Sequence, residues 1–184
     1  MSEIYQIQVS LRGSKPKIWR RILIESNTKL PVLHQIIQII AGWRNQHMHQ
    51  FIKNGKYYGN GTSSDDIIDY KDTTVKDLLK KEKDKMTYEY DFGDSWEHFV
   101  LLEKILPIDD QKKYPLCVTG KKSFPPDNCG GLDGYDDLLE ILANPKHKDH
   151  EEMKFWLKEF GHKNFDSDRF DVNEINEVLE NMFS

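Results

Sequence analysis

Between Tyr88 and Val100 the chain sets large aromatic and apolar residues alternately with acids, and a Gly93-Asp94-Ser95 turn breaks the run. Two aromatic strands joined by a tight turn constrain a fold strongly, because side chains alternate faces and a slip of one residue reverses them all. A two-residue Gly93-Asp94 loop would place Glu89 opposite His98 and scatter the aromatic rings over both faces. A three-residue loop pairs Phe92 with Trp96, Tyr90 with His98 and Tyr88 with Val100, which gathers the large residues on one face. That register is the expected one. It sets Asp91 opposite Glu97 on the other face, with Asp94 in the turn.

The preceding residues read as more sheet. Tyr5, Ile7, Val9 and Leu11 alternate with polar residues, Gly13 to Pro16 turns, and Ile18 to Ile24 returns, which predicts a hairpin. Pro31 opens a helix with Leu33, Ile36, Ile37 and Ile40 on one stripe, closed by Gly42. A third strand is expected over His47–Lys53, a turn at Asn54-Gly55, a polar loop over 59–66, and a short helix capped by Thr74 and Asp77. After residue 106 the pattern changes. Residues 107–132 hold both cysteines and the Pro125-Pro126 and Gly130-Gly131 pairs and read as a loop, of which the Pro125–Gly134 stretch is expected to be ordered and packed on the aromatic hairpin. Residues 133–184 give three helical stripes, beginning at Asp133, at an Asp149/Glu152 capping box and at Asp171 with Glu174. Strands first and helices last predict one α+β domain over 1–184, a mainly antiparallel sheet with helices packed on one face and a helical C-terminal third.

Charge is unevenly spread. Residues 1–60 hold nine Lys and Arg against Glu3 and Glu25, a surplus of seven; with −5 overall, the rest carries −12. Arg12, Lys15, Lys17, Arg20, Arg21 and Arg44 are therefore candidates for a polyanion-binding face. Trp19, Arg20 and Arg21 on one strand would offer an aromatic face opposite a basic one, a stacking platform of the kind single-stranded nucleic acid uses. Mutual neutralisation of the two halves is the simpler alternative. No apolar run is long enough to span a membrane, no signal-peptide pattern opens the chain, and two cysteines make no disulfide framework. A cytoplasmic protein without a membrane partner is the expectation.

The candidate chemistry is histidine with carboxylate. His47 and His49, two apart on the expected strand, point to one side and could grip a divalent metal with Asp91 and Asp94; Glu97 and His98 complete a set able to activate water. Cys117 and Cys129 are weaker metal candidates, even with His147 and His150, because their spacing is too loose for a zinc knuckle. Asp91-Phe92-Gly93 copies a kinase triplet without the rest of a kinase, and Gly59-Asn60-Gly61 fails as a dinucleotide fingerprint at Ser64.

Several combinations together resemble the plasmid pRiA ORF-3-like family: Ile18 to Arg21, Leu33-His34 to Trp43, His47 to Phe51, Tyr90 to His98, Pro125 to Gly131 and Gly134 to Leu139. The resemblance runs over nearly the whole chain. It implies a prokaryotic protein associated with plasmids and transposable elements, with no established activity. Relatives often carry a further Cys just before the Pro-Pro pair, where this chain has Phe124, so a three-thiolate site does not carry over. The leading expectation is a non-catalytic binding module whose partner is nucleic acid or a mobile-element protein. A metal-dependent hydrolase using the His/carboxylate set is the rival, and a protein-interaction domain recognising a partner through the Pro125–Gly134 loop is the third reading.

Overall fold

The computed structural model describes residues 3–60 and 66–183. Strands β1 (Ile4–Leu11) and β2 (Trp19–Glu25) form the expected N-terminal hairpin. Helix α1 (Leu30–Ala41) carries its proline in the first turn and ends on Gly42, whose left-handed backbone (φ 73°) returns its N–H to the carbonyls of Gln38 and Ile39. A β-branched or bulky residue there would be strained, which is why glycine stops the helix. Asn54 and Gly55, both at positive φ, turn β3 (His49–Lys53) into β4 (Lys56–Gly59). Strand β5 (Ile67–Asp69) then runs parallel to β4. The polar-loop expectation over 59–66 largely falls outside the described residues, as does Ser64. In the short helix α2 (Val75–Leu78), the Asp77 carboxylate accepts from the Thr74 backbone N–H at 2.8 Å.

The aromatic hairpin, β6 (Lys85–Tyr90) and β7 (Trp96–Leu106), corrects the expected register. Tyr90 pairs with Trp96 and Tyr88 with His98, so the loop spans residues 91–95 rather than three residues. The slip is two residues, so parity survives: Tyr88, Tyr90, Trp96, His98 and Val100 all lie on the buried face. Phe92, in contrast, is 45% exposed in the loop, and Glu89 rather than Asp91 stands opposite Glu97. The loop is long because Asp91 and Ser95 both take positive φ, and the Asp91 carboxylate accepts from the backbone N–H of Gly93 at 2.9 Å.

A second correction lies in the Cys/Pro/Gly segment. Leu116–Lys121 is a strand, β8, paired with β2, which divides the expected loop into residues 107–115 and the stretch after Lys121. Helix α3 (Gly131–Ala143) starts before Asp133, with Gly130 as its cap. Asp149 precedes α4 (His150–Glu159) but makes no capping hydrogen bond, so the expected capping box is absent. Asp171 does cap α5 (Val172–Phe183), accepting from the N–H groups of Asn173 and Glu174. An irregular stretch, residues 160–171, separates these last two helices, so the C-terminal third is only partly helical.

The eight strands make one mixed, mostly antiparallel sheet in the order β5-β4-β3-β6-β7-β1-β2-β8. A single core joins Tyr5, Ile7, Val9 and Leu11 of β1 to Leu33, Ile36, Ile37 and Ile40 of α1. Alternate residues on the same strands make a polar outer face: Gln6 and Gln8 donate to Glu103, which also binds Arg21 twice. No helix among the described residues is long and apolar enough to cross a membrane.

Candidate functional site

Three segments converge where β6 ends and β3 begins, strand ends brought together by the His49–Tyr90 pairing. The first, residues 42–48, leaves α1 through the Gly42 turn. Trp43 pins it by donating from Nε1 to the Pro125 carbonyl at 2.9 Å. The second is the 91–95 loop, and the third is Phe124 to Gly131, of which Phe124 to Asp127 are buried. Gly130 donates its N–H to the Asp94 carboxylate at 3.1 Å. Gly131 (φ 70°) packs so closely that a Cβ there would stand 2.7 Å from the Asp94 carbonyl oxygen. The expected packing of this segment on the aromatic hairpin is therefore present.

His47, Asp91 and Asp127 meet at the junction, with one candidate ligand atom from each lying within 4.8 Å of the others. His47 Nε2 is 3.7 Å from Asp91 Oδ2 and 3.8 Å from Asp127 Oδ1. It is buried and has no hydrogen-bond partner. Both carboxylates are held from behind. The Tyr90 hydroxyl accepts from the Gln46 N–H at 3.0 Å and donates to Asp127 Oδ2 at 3.1 Å, while Asp127 Oδ1 accepts from Asn128 N–H. Burial pushes the Asp127 carboxyl up from the usual carboxylate range; the Tyr90 hydrogen bond and His47 offset part of that, and Asp91 adds to it. Atoms about 2.1 Å from one ion in a tetrahedral shell lie roughly 3.4 Å apart, so the two His47 distances exceed that spacing by a few tenths of an ångström, and the two carboxylates, within 4.8 Å of each other, would have to draw together to close the set on a cation.

The other sequence candidates go elsewhere. His49 turns into the core, stacked on His34 with ring centroids 3.4 Å apart and within 2.9 Å of the Tyr70 hydroxyl. Burial, then His34, push its pKa down to about 3. His98 is wholly buried among Trp43, Tyr88 and Phe124, and burial lowers its pKa to about 4. Glu97 lies on the outer face in an ion pair with Arg12. Cys117 and Cys129 are free thiols, pushed by burial up to about 11 and about 12, and they join no metal-ligand group among the described residues. Nor do His147 and His150; His150 Nδ1 lies 3.0 Å from the Ile141 carbonyl.

The basic candidates are also dispersed. Arg21 and Trp19 share the outer face, with the guanidinium 5.2 Å from the ring centre, while Arg20 points into the core; the expected split into one aromatic and one basic face is wrong because alternate residues share a face. Arg21 is bound by Glu103, Arg12 by Glu97, and Lys17 donates to Gln8. Lys15 and Arg44 have neither an ion pair nor a hydrogen bond among the described residues. Sequence reasoning missed Asp127. The one signal was its place after Pro125-Pro126, where a rigid backbone can aim a side chain.

These features define a class: an α+β protein whose mixed sheet carries, at one end of its strands, a cluster of one histidine and two carboxylates. The chain belongs to the plasmid pRiA4b ORF-3-like protein family, which matches residues 3–174. It is 26% identical over 185 residues to the uncharacterized protein y4hQ of Sinorhizobium fredii, covering 99% of this chain and 93% of that protein. It is also similar to the crystal structure of MM3350, a protein of unknown function from Methanosarcina mazei Go1. The two share 32% identity with a TM-score of 0.84, over 95% of this chain and 98% of the other.

Proposed function

We propose that the chain binds a divalent cation through His47, Asp91 and Asp127 and serves as a metal-dependent hydrolase. The observation that carries this reading is the buried, unpartnered His47 Nε2 held between two carboxylate oxygens. A buried imidazole nitrogen with no partner is costly, and two converging carboxylates repel; a cation relieves both. Three protein ligands leave positions open for water, as catalytic sites do and closed structural sites do not. A cation there would polarise a water molecule for attack. Tyr90 would orient Asp127 from outside the ligand set, the usual role of an outer hydrogen bond.

Titration of EDTA-treated protein with Mn²⁺ and Zn²⁺ by calorimetry tests the reading. One cation per chain is expected, with binding lost in His47→Ala and Asp127→Asn. If His47 is instead an imidazolium bridging the two acids, wild-type protein will take up no cation, and the proposal fails.

The competing reading, a nucleic-acid or mobile-element partner on the basic face, draws support from Lys15, Lys17 and Arg44, because Arg12 and Arg21 are paired with acids and Arg20 is buried. A salt-sensitive gel shift that weakens in Arg12→Ala and Arg21→Ala would revive it.

A further inference from the structure

Arg20 is 4% exposed, yet no carboxylate pairs with it. Its guanidinium lies between Phe124 and Phe170, 5.0 and 4.7 Å from the ring centres, and Nη1 donates to the carbonyls of Trp19 and Lys121. Nε has no partner. A buried cation without a counter-ion is expensive, and ring faces with two carbonyls satisfy only part of its valence. Gly120 makes the placement possible, since a Cβ there would come within 2.6 Å of Arg20 Cδ and 2.9 Å of the Phe170 ring.

Arg20 lines an open cleft of about 560 Å³ between the end of α1 and the 160–171 stretch. Arg44 and Lys163 line it too, and neither has a hydrogen-bond or ion-pair partner among the described residues. The acids in the wall are engaged: Glu174 holds Arg169, and the Asp166 and Asp171 carboxylates accept backbone N–H groups of their own turns. Arg44 and Lys163 are left exposed on the cleft, and Arg20 lies in its inner wall. Arg44 and His162 also line the neighbouring cleft that contains Asp127. The volume is that of a small-molecule site.

We propose that this cleft binds a small phosphorylated molecule, its phosphate held by Arg20, Arg44 and Lys163. Guanidinium groups suit this role because their forked donors match phosphate oxygens. The inference does not depend on the cation site. An extended nucleic acid is less well served, because the charges face a concavity and do not form a surface track.

The test is titration of EDTA-treated protein with adenosine monophosphate, with inorganic phosphate, and with a short single-stranded oligonucleotide, followed by calorimetry and amide chemical shifts. Saturable binding of the monophosphate or of phosphate is expected. It should weaken about tenfold in each of Arg44→Ala and Lys163→Ala, by loss of one charge-assisted contact. Arg20→Met should abolish it; if that variant does not fold, the two exposed substitutions decide. His47→Ala should leave it within about twofold, which separates this site from the cation site. No shift with either small probe at millimolar concentration would overturn the proposal. So would binding unchanged in Arg44→Ala and Lys163→Ala, or binding of the oligonucleotide alone.

Discussion

His47 and His49 are two residues apart and occupy opposite chemical worlds. His49 begins a strand, and sheet pairing with Tyr90 carries it inward, where His34 stacks on it and the Tyr70 hydroxyl meets it. His47 lies before the strand, on a segment steered by the Gly42 turn and by Trp43, and its Nε2 is left between Asp91 and Asp127. The first histidine contributes to folding and the second is left available for a ligand. Sheet pairing fixes where His49 points, whereas three loops meeting at the end of the strands leave His47 Nε2 beside two carboxylates.

Substitutions should separate the two. Removing His47 should cost cation affinity at least a hundredfold while changing the stability of metal-free protein by under about 1 kcal/mol, because no hydrogen bond is lost. Tyr90→Phe should cost affinity roughly ten- to a hundredfold through the freed Asp127 carboxylate. A His47→Ala variant that unfolds easily would erase the distinction. His49→Ala should instead destabilise by roughly 3 kcal/mol through the cavity and lost stacking, read from denaturant midpoints.

Acid sharpens the same contrast. His98 holds a folded pKa of about 4, and His49 about 3, both lowered first by burial. The unfolded chain takes up these protons near pH 6.5, before the folded one does, so stability is whole above that pH and falls as pH drops toward 4. His98 alone sets an upper figure on the order of 3 kcal/mol. Urea midpoints that stay level between pH 7 and 4.5 would contradict the sealed cluster.

Smaller effects are expected at the loop and on the outer face. Gly131→Ala must bear a positive φ and a Cβ close to the Asp94 carbonyl, and should cost roughly 1–3 kcal/mol together with some cation affinity. Arg12→Ala breaks an exposed pair with Glu97 and should cost less than about 1 kcal/mol, with the cation site unchanged.

Local pattern made much of the fold legible. Alternation at Tyr5–Leu11, the apolar stripe of α1, and the parity of the aromatic hairpin could all be read directly. The hairpin's true register could not, because Asp91 at φ 57° and Ser95 at φ 54° lengthen the loop, and neither residue type announces that conformation. Strand β8 hid among Cys, Gly and Pro residues, since an edge strand buried mainly at Cys117 shows no clear alternation. The site was half visible. His47 and Asp91 stand in motifs that attract notice, but Asp127 lies 36 residues beyond Asp91 and is brought in by the Trp43–Pro125 contact and by Tyr90. The basic N-terminal surplus was legible only as a total: the acids that pair with Arg12 and Arg21, Glu97 and Glu103, arrive from β7, which only sheet order reveals.

The most direct test is an X-ray structure of the protein crystallised with Mn²⁺ or Zn²⁺, with anomalous scattering recorded at the metal edge. The account predicts one strong peak bonded to His47 Nε2, Asp91 Oδ2 and Asp127 Oδ1 at about 2.0–2.2 Å, with water completing the shell. A peak elsewhere with these three side chains unchanged, or no peak at all, would contradict it.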